Sequence, residues 1–158
     1  MALHIVLYQP LIPANTGNIA RTCAATNTKL HLIRPLGFST DDKQLKRAGL
    51  DYWEHVDITY YDSIEEFLEK KSGEFFYITK FAKNIYSDSL YGDVSKDYYF
   101  IFGRETTGLP KNLLEEHPER GLRLPMNDEH VRSLNLSNTA AIVIYEALRQ
   151  QIFPTLDL

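Results

Sequence analysis

Residues 98–110 read YYFIFGRETTGLP. Tyr98–Phe102 is an unbroken apolar and aromatic run with no polar alternation. Such a run suits a strand covered on both faces, as in a parallel sheet. It runs into a loop bounded by Gly103 and Gly108 and then a short helical stretch, Lys111–Glu116. Strand, glycine loop and helix together suggest a nucleotide or cofactor pocket. The loop lacks the phosphate-binding signature, because Leu109 and Pro110 stand where a phosphate loop needs Lys and Ser or Thr. Glu105 disfavours a polyphosphate and suits a sulfonium or a ribose.

Similar runs lie on either side. His4–Tyr8, Leu30–Arg34, Val56–Tyr60, Phe75–Thr79 and the short Leu122–Leu124 read as strands. No G-x-G-x-x-G follows the first strand, which argues against a nicotinamide enzyme. Helical patterns fall between the strands. One covers Ile19–Thr26, with Asn15, Thr16 and Asn18 as candidate caps, and Gly17 permits a turn there. Another is capped by Asp41 and Asp42, runs through Ala48 and is closed by Gly49. A third starts with the capping-box form Ser63-Ile64-Glu65-Glu66 and ends near Lys71. The last is Ser137–Gln151, while Lys80–Ser95 reads as loop with at most a turn of helix. The alternation predicts a single α/β domain over 1–158, with a mostly parallel sheet and helices on both faces.

The segment Leu122–Tyr145, LRLPMNDEHVRSLNLSNTAAIVIY, holds the densest polar signal. Arg132, Ser133, Asn135, Ser137 and Asn138 interleave with Leu134 and Leu136. The apolar pair can pin a loop whose polar groups face a ligand. A well-capped helix start would use the same residue types. Arg21 follows the first strand, at the sheet end where α/β proteins place their sites. Lys43, Lys46 and Arg47 lie beside Tyr52 and Trp53, either as an RNA-contact patch or as a solvated face.

Composition narrows the class. The chain has 158 residues and net charge −4, which argues against coating nucleic acid by bulk charge and favours a few placed contacts. The lone Cys23 excludes an internal disulfide and reads as core. The five histidines have no metal-ligand spacing, so no metal is expected. No apolar run reaches the ~18 residues needed to cross a bilayer, and the first residues carry no secretory leader. A cytoplasmic location without membrane association is expected.

NTGNIAR (15–21), FGRETTGLP (102–110) and LPM (124–126) with SLNLSN (133–138) resemble, in order, the three motifs of the SPOUT superfamily of RNA methyltransferases. DDKQLKRAGLDY (41–52) and IYEALRQ (144–150) resemble the branch of stand-alone tRNA 2′-O-methyltransferases that act on the wobble nucleotide. The resemblance spans almost all of residues 3–151.

That resemblance implies a deep C-terminal trefoil knot, with knot and donor site over about residues 76–151. It implies S-adenosylmethionine as donor, contacted by Ile78, Gly103, Leu124 and Ser133. It implies a homodimer packed through the first and last helices, although the last helix could equally bury its apolar side on its own sheet. The substrate would be the tRNA anticodon stem-loop, with leucine isoacceptors expected. Arg21 matches the catalytic arginine; always protonated, it suits an oxyanion or phosphate anchor better than a base. Glu105 would orient Arg21 or a backbone amide, and Asn15 and Asn18 would brace Arg21. Ser137 and Asn138 would bond the ribose or donor, and Tyr145 would shape the substrate side. RNA would follow Arg21, Lys43, Lys46, Arg47 and Arg132 across both subunits. Arg104 departs from the pattern of close relatives, which often carry another residue there. Two alternatives stay open: a different tRNA or ribosomal RNA position, and a non-catalytic knotted RNA-binding module.

Overall fold

The computed structural model describes the backbone of residues 1–158 and all side chains except those at positions 49 and 50. In chain order the elements are β1 Leu3–Tyr8, α1 Pro13–Thr26, β2 Lys29–Ile33, α2 Lys43–Trp53, β3 Ile58–Tyr61 and α3 Ile64–Lys70. They continue with β4 Glu74–Ile78, β5 Asn84–Ile85, β6 Tyr98–Phe102, α4 Lys111–Glu116, β7 Gly121–Arg123 and α5 Leu136–Gln150. The sheet order is β3-β2-β1-β6-β4-β7-β5, and every pairing is parallel.

The unbroken apolar strands are explained by helices on both faces. Along β6, Tyr98, Phe100 and Phe102 pack into a core with Ile19, Ala20 and Cys23 of α1 and Ala140, Val143 and Ile144 of α5. Tyr99 and Ile101 point the other way, into a core with Ile64 and Phe67 of α3 and Leu113 of α4. Burial pushes the Cys23 thiol up to about 12, consistent with a packing role.

Several boundaries differ from the sequence expectation. α1 begins at Pro13, six residues before Ile19. Proline suits a first helical position because its φ is preset and no N–H is needed there. Asn15, Thr16 and Gly17 are therefore buried helix residues rather than caps or a turn, and Asn18 is helical too. α2 continues past Gly49 to Trp53, with the Asp42 side chain accepting from Gln44 N at 2.8 Å. β3 and β4 are offset from their expected bounds by one or two residues, and α5 is capped by Asn135, before Ser137. Lys80–Ser95 contains β5, which exists by pairing Asn84 with Leu122 and Ile85 with Arg123.

β4 and β5 are consecutive in the chain yet do not pair; β7 lies between them. The end of α5 is tied to the segment after β5. Gln150 accepts from Tyr91 N at 2.7 Å and donates to Ser89 O at 3.0 Å, and Gln151 donates to Tyr91 O at 2.8 Å.

A polar chain crosses the α3 side of the sheet. Asp97 accepts from His4 Nε2 at 2.8 Å. A carboxylate only accepts, so His4 Nδ1 must accept from His31 Nε2 at 2.8 Å, and His31 Nδ1 from the Tyr61 hydroxyl at 2.9 Å. Tyr99 stacks on His4 with ring centroids 4.0 Å apart. Burial drives His31 down to about 3 and also lowers His4, despite the opposing effect of Asp97. Both imidazoles are thus held neutral.

Candidate active site

The C-terminal ends of β4, β6 and β7 open on one cleft of about 660 Å³. Ile78 ends β4, Gly103 follows β6 and Leu124 follows β7; all three line the cleft, with Ser133 and Arg132 from the loop before α5. The four residues expected at the donor therefore meet in one place. So does Glu105, whereas Arg21, Ser137, Asn138 and Tyr145 do not line the cleft of this chain.

The glycine loop is shaped by close approach. A Cβ at Gly103 would lie 2.3 Å from the Gly108 carbonyl carbon and 2.4 Å from Leu109 N. Arg104 and Gly108 exchange both backbone hydrogen bonds, N to O, at 3.1 and 3.0 Å, and Gly108 has φ 71°. The loop folds back so closely on itself that any side chain at 103 would collide with the returning backbone of Gly108 and Leu109.

Glu105 reaches from this loop to the start of α1. It accepts from Leu11 N at 2.9 Å and Ile12 N at 2.7 Å, and from Asn15 Nδ2 at 3.3 Å. Ile12 has no side-chain cap of its own, so a carboxylate from 93 residues away satisfies the amides at this helix entrance. Of the two expected roles for Glu105, binding backbone amide is the one formed. Asn15 does not brace Arg21. Its Nδ2 serves Glu105, and its Oδ1 accepts from Asn135 Nδ2 at 3.1 Å. Asn135 Oδ1 then accepts from Ser137 N at 2.9 Å, Ser137 Oγ at 2.5 Å and Asn138 N at 3.2 Å. Glu105, Asn15 and Asn135 thus join all three sequence motifs in one chain of bonds.

The remaining expected residues lie outside it. Arg21 is exposed on α1, with its guanidinium 5.2 Å from the Tyr52 ring centroid on α2. Lys43, Lys46 and Arg47 are exposed on α2, which packs against α1. Asn138 and Tyr145 are exposed on α5, and Tyr145 lines a separate surface hollow with Ala25, Asn27 and Phe153. Sequence reasoning missed Asn135 as the hub and Phe81 as a cleft-lining residue. Asn135 had a legible signal as a cap residue just ahead of the helix; Phe81 stood in a stretch read as plain loop. Among the described residues no three His, Cys, Asp or Glu side chains converge to hold a metal ion.

The SpoU rRNA Methylase family model matches residues 2–145. The chain belongs to that family. A relative from Bacillus subtilis (strain 168), named "Putative tRNA (cytidine(34)-2'-O)-methyltransferase", is 70% identical over 152 residues, covering 96% of this chain and 94% of its own. A solved structure described as "Structural insights into the 2-OH methylation of C/U34 on tRNA" is 44% identical, with TM-score 0.86, and the match covers 96% of this chain and 97% of that one. The SpoU methyltransferase AviRb from Streptomyces viridochromogenes, solved in complex with the cofactor AdoMet, shares the fold at 21% identity and TM-score 0.79, over 96% of this chain and 58% of its own. The seven-stranded parallel sheet with its helices is the α/β arrangement of these SpoU structures.

Proposed function

We propose that this protein is a tRNA 2′-O-methyltransferase that methylates the ribose of the wobble nucleotide, cytidine or modified uridine 34, with S-adenosylmethionine as donor. The observation that carries the reading is the Glu105–Asn15–Asn135 chain, which locks the three motifs around one cleft. The names of the similar tRNA methyltransferases support the substrate. Leucine isoacceptors are the expected tRNAs.

The cleft fits the donor. Its volume lies within the range of small-molecule sites, and apolar Ile78 and Leu124 suit an adenine. When bound, S-adenosylmethionine supplies an activated methyl group on its sulfonium. The chain's own residues position and desolvate. Ile78, Gly103, Leu124 and Ser133 hold the donor, and the bonded loops fix where the ribose can enter. Ser137 donates its hydroxyl to Asn135 and keeps oxygen lone pairs to accept from the 2′-OH.

Arg21, as a fixed cation, stabilises the developing 2′-oxyanion or anchors its phosphate. Because Arg21 is off this chain's cleft, the reading places it there from a second copy. Asn18, Arg21 and Ala25 form an exposed stripe on α1, next to the exposed Ile142 and Tyr145 of α5. A homodimer through this surface supplies Arg21, with Lys43, Lys46 and Arg47 of the adjoining α2, to the tRNA anticodon stem-loop. The insertion of β7 between β4 and β5, with α5 tied to the segment around Tyr91, supports a trefoil knot over about residues 76–151 of one 1–158 domain. A cytoplasmic location follows from the tRNA substrate.

The test is to incubate the protein with S-adenosylmethionine and tRNA lacking the mark, then locate any 2′-O-methyl nucleoside by mass spectrometry. Methylation at position 34, lost in Arg21→Ala, is expected. Methylation only of ribosomal RNA would favour the substrate in the family's description. Donor binding without transfer to either RNA would sink the enzyme reading.

A further inference from the structure

Phe81 is 74% exposed although it is one of the large aromatic residues of a chain with an ample core. It stands three residues beyond the end of β4, in a tight turn where Phe81 N donates to Thr79 Oγ1 at 3.3 Å and Ala82 N to Thr79 O at 3.3 Å. Phe81 lines the cleft beside this turn. Lys80 Nζ lies 5.3 Å from the ring centroid. Arg104 and Arg132 line the same cleft. Arg104 joins no ion pair among the described residues, and its buried Nε has no hydrogen-bond partner there. The one carboxylate on the wall, Glu105, is engaged with the amides of Leu11 and Ile12.

The wall thus pairs an exposed π face with cations that join no ion pair among the described residues. That combination recognises single-stranded nucleic acid: unstacked bases lie on aromatic rings while guanidinium and ammonium groups hold the phosphodiesters between them. We propose that Phe81 is a stacking platform for an unstacked base of the RNA substrate, and that Lys80 and Arg104 hold the phosphodiester next to that base. The inference rests on the methyltransferase reading and specifies how its substrate is seated. A base held here fixes its ribose at the cleft mouth, which is what transfer to a 2′-oxygen requires. Phe81 and Arg104 act as positioning residues for the RNA.

The experiment uses anticodon stem-loop RNA with 2-aminopurine placed in turn at each loop position, titrated with the whole protein. Wild type should quench one position; Phe81→Ala should abolish that quench and raise KM for RNA about tenfold to a hundredfold, the scale of one lost base stack. Phe81→Trp should restore both. Arg104→Gln should lower the slope of log K against log salt by about one. S-adenosylhomocysteine affinity, measured by calorimetry, should stay unchanged in all three, and circular dichroism checks their fold. A retained quench in Phe81→Ala overturns the proposal. So does a parallel fall in S-adenosylhomocysteine affinity, which would assign Phe81 to the donor instead. Wild type that binds neither RNA nor S-adenosylhomocysteine would overturn the functional reading and this proposal together, a result distinct from either.

Discussion

Two chains of polar side chains cross this molecule, and they are built alike but placed differently. Asp97–His4–His31–Tyr61 lies beneath aromatic rings in the sheet interior, and His4 and His31 are buried. Glu105–Asn15–Asn135 lies at the open end of the strands, and Glu105, Asn15 and Asn135 line the cleft. Each joins segments some 90 residues or more apart in sequence. The first touches none of the cleft residues, so its bonds act on the stability of the fold. The second spans the three loops that form the cleft, so its bonds act on geometry at the site. Position relative to the strand ends, more than residue type, separates a stabilising network from a functional one.

The largest effect expected is on the interior chain. His31→Ala leaves His4 Nδ1 and the Tyr61 hydroxyl without the partner His31 gave them, opens a cavity, and should cost about 2–4 kcal/mol in urea unfolding. Below its unfolding midpoint the variant should bind S-adenosylhomocysteine like wild type. A large loss of that affinity would break the distinction drawn above. Glu105→Gln comes next. It weakens charge-assisted bonds to two amides and should cost about 1.5–3 kcal/mol, together with at least tenfold in turnover. If turnover is unchanged, the cleft-side chain is structural only.

Acid sharpens the same contrast. His31 is held to about 3, so below about pH 6.5 the unfolded chain takes up a proton there that the folded chain does not, and the lowered His4 acts in the same direction. Stability should be complete above that pH and fall as pH drops toward 3, by up to about 1.4 kcal/mol per unit for each imidazole held neutral. Replacing His31 with Phe should flatten that slope in pH-dependent denaturation. Asn15→Ala should have the smallest effect, about 0.5–1.5 kcal/mol. A double-mutant cycle with Asn135→Ala should reveal coupling, and simple additivity would show that the bond carries no weight.

The two networks also differ in how far sequence could foretell them. Tyr98–Phe102 and Lys111–Glu116 match the expected bounds because local apolar runs decide them. Of the residues expected at the donor, Gly103, Leu124 and Ser133 were legible as motif positions and Ile78 through the family resemblance alone, and all four meet in the cleft. The start of α1 was misplaced at Ile19, although Pro13 suits a first helical position. Its cap was not, because Glu105 supplies it from across the fold. β5 was invisible for the same reason: two residues have no pattern of their own and become a strand only by pairing with β7. The interior histidines read as scattered because side-by-side packing of parallel strands, not sequence spacing, aligns them. His4 on β1 and His31 on β2 meet only when the strands pair in register.

The place of β7 between β4 and β5 also sets a timetable for biosynthesis. A ribosome releases β4, β5 and β6 before Gly121–Arg123 exist, so the slot between β4 and β5 stays open until the chain is three-quarters made. Leu124, Ser133 and Asn135 are made only after that, so the cleft cannot be complete earlier. Donor binding should therefore lag behind recovery of helical signal in refolding experiments, and simultaneous recovery would contradict this order. The cleft is in effect a completion signal: a chain cut short before β7 has six of its seven strands but lacks Leu124, Ser133 and Asn135 of the cleft wall.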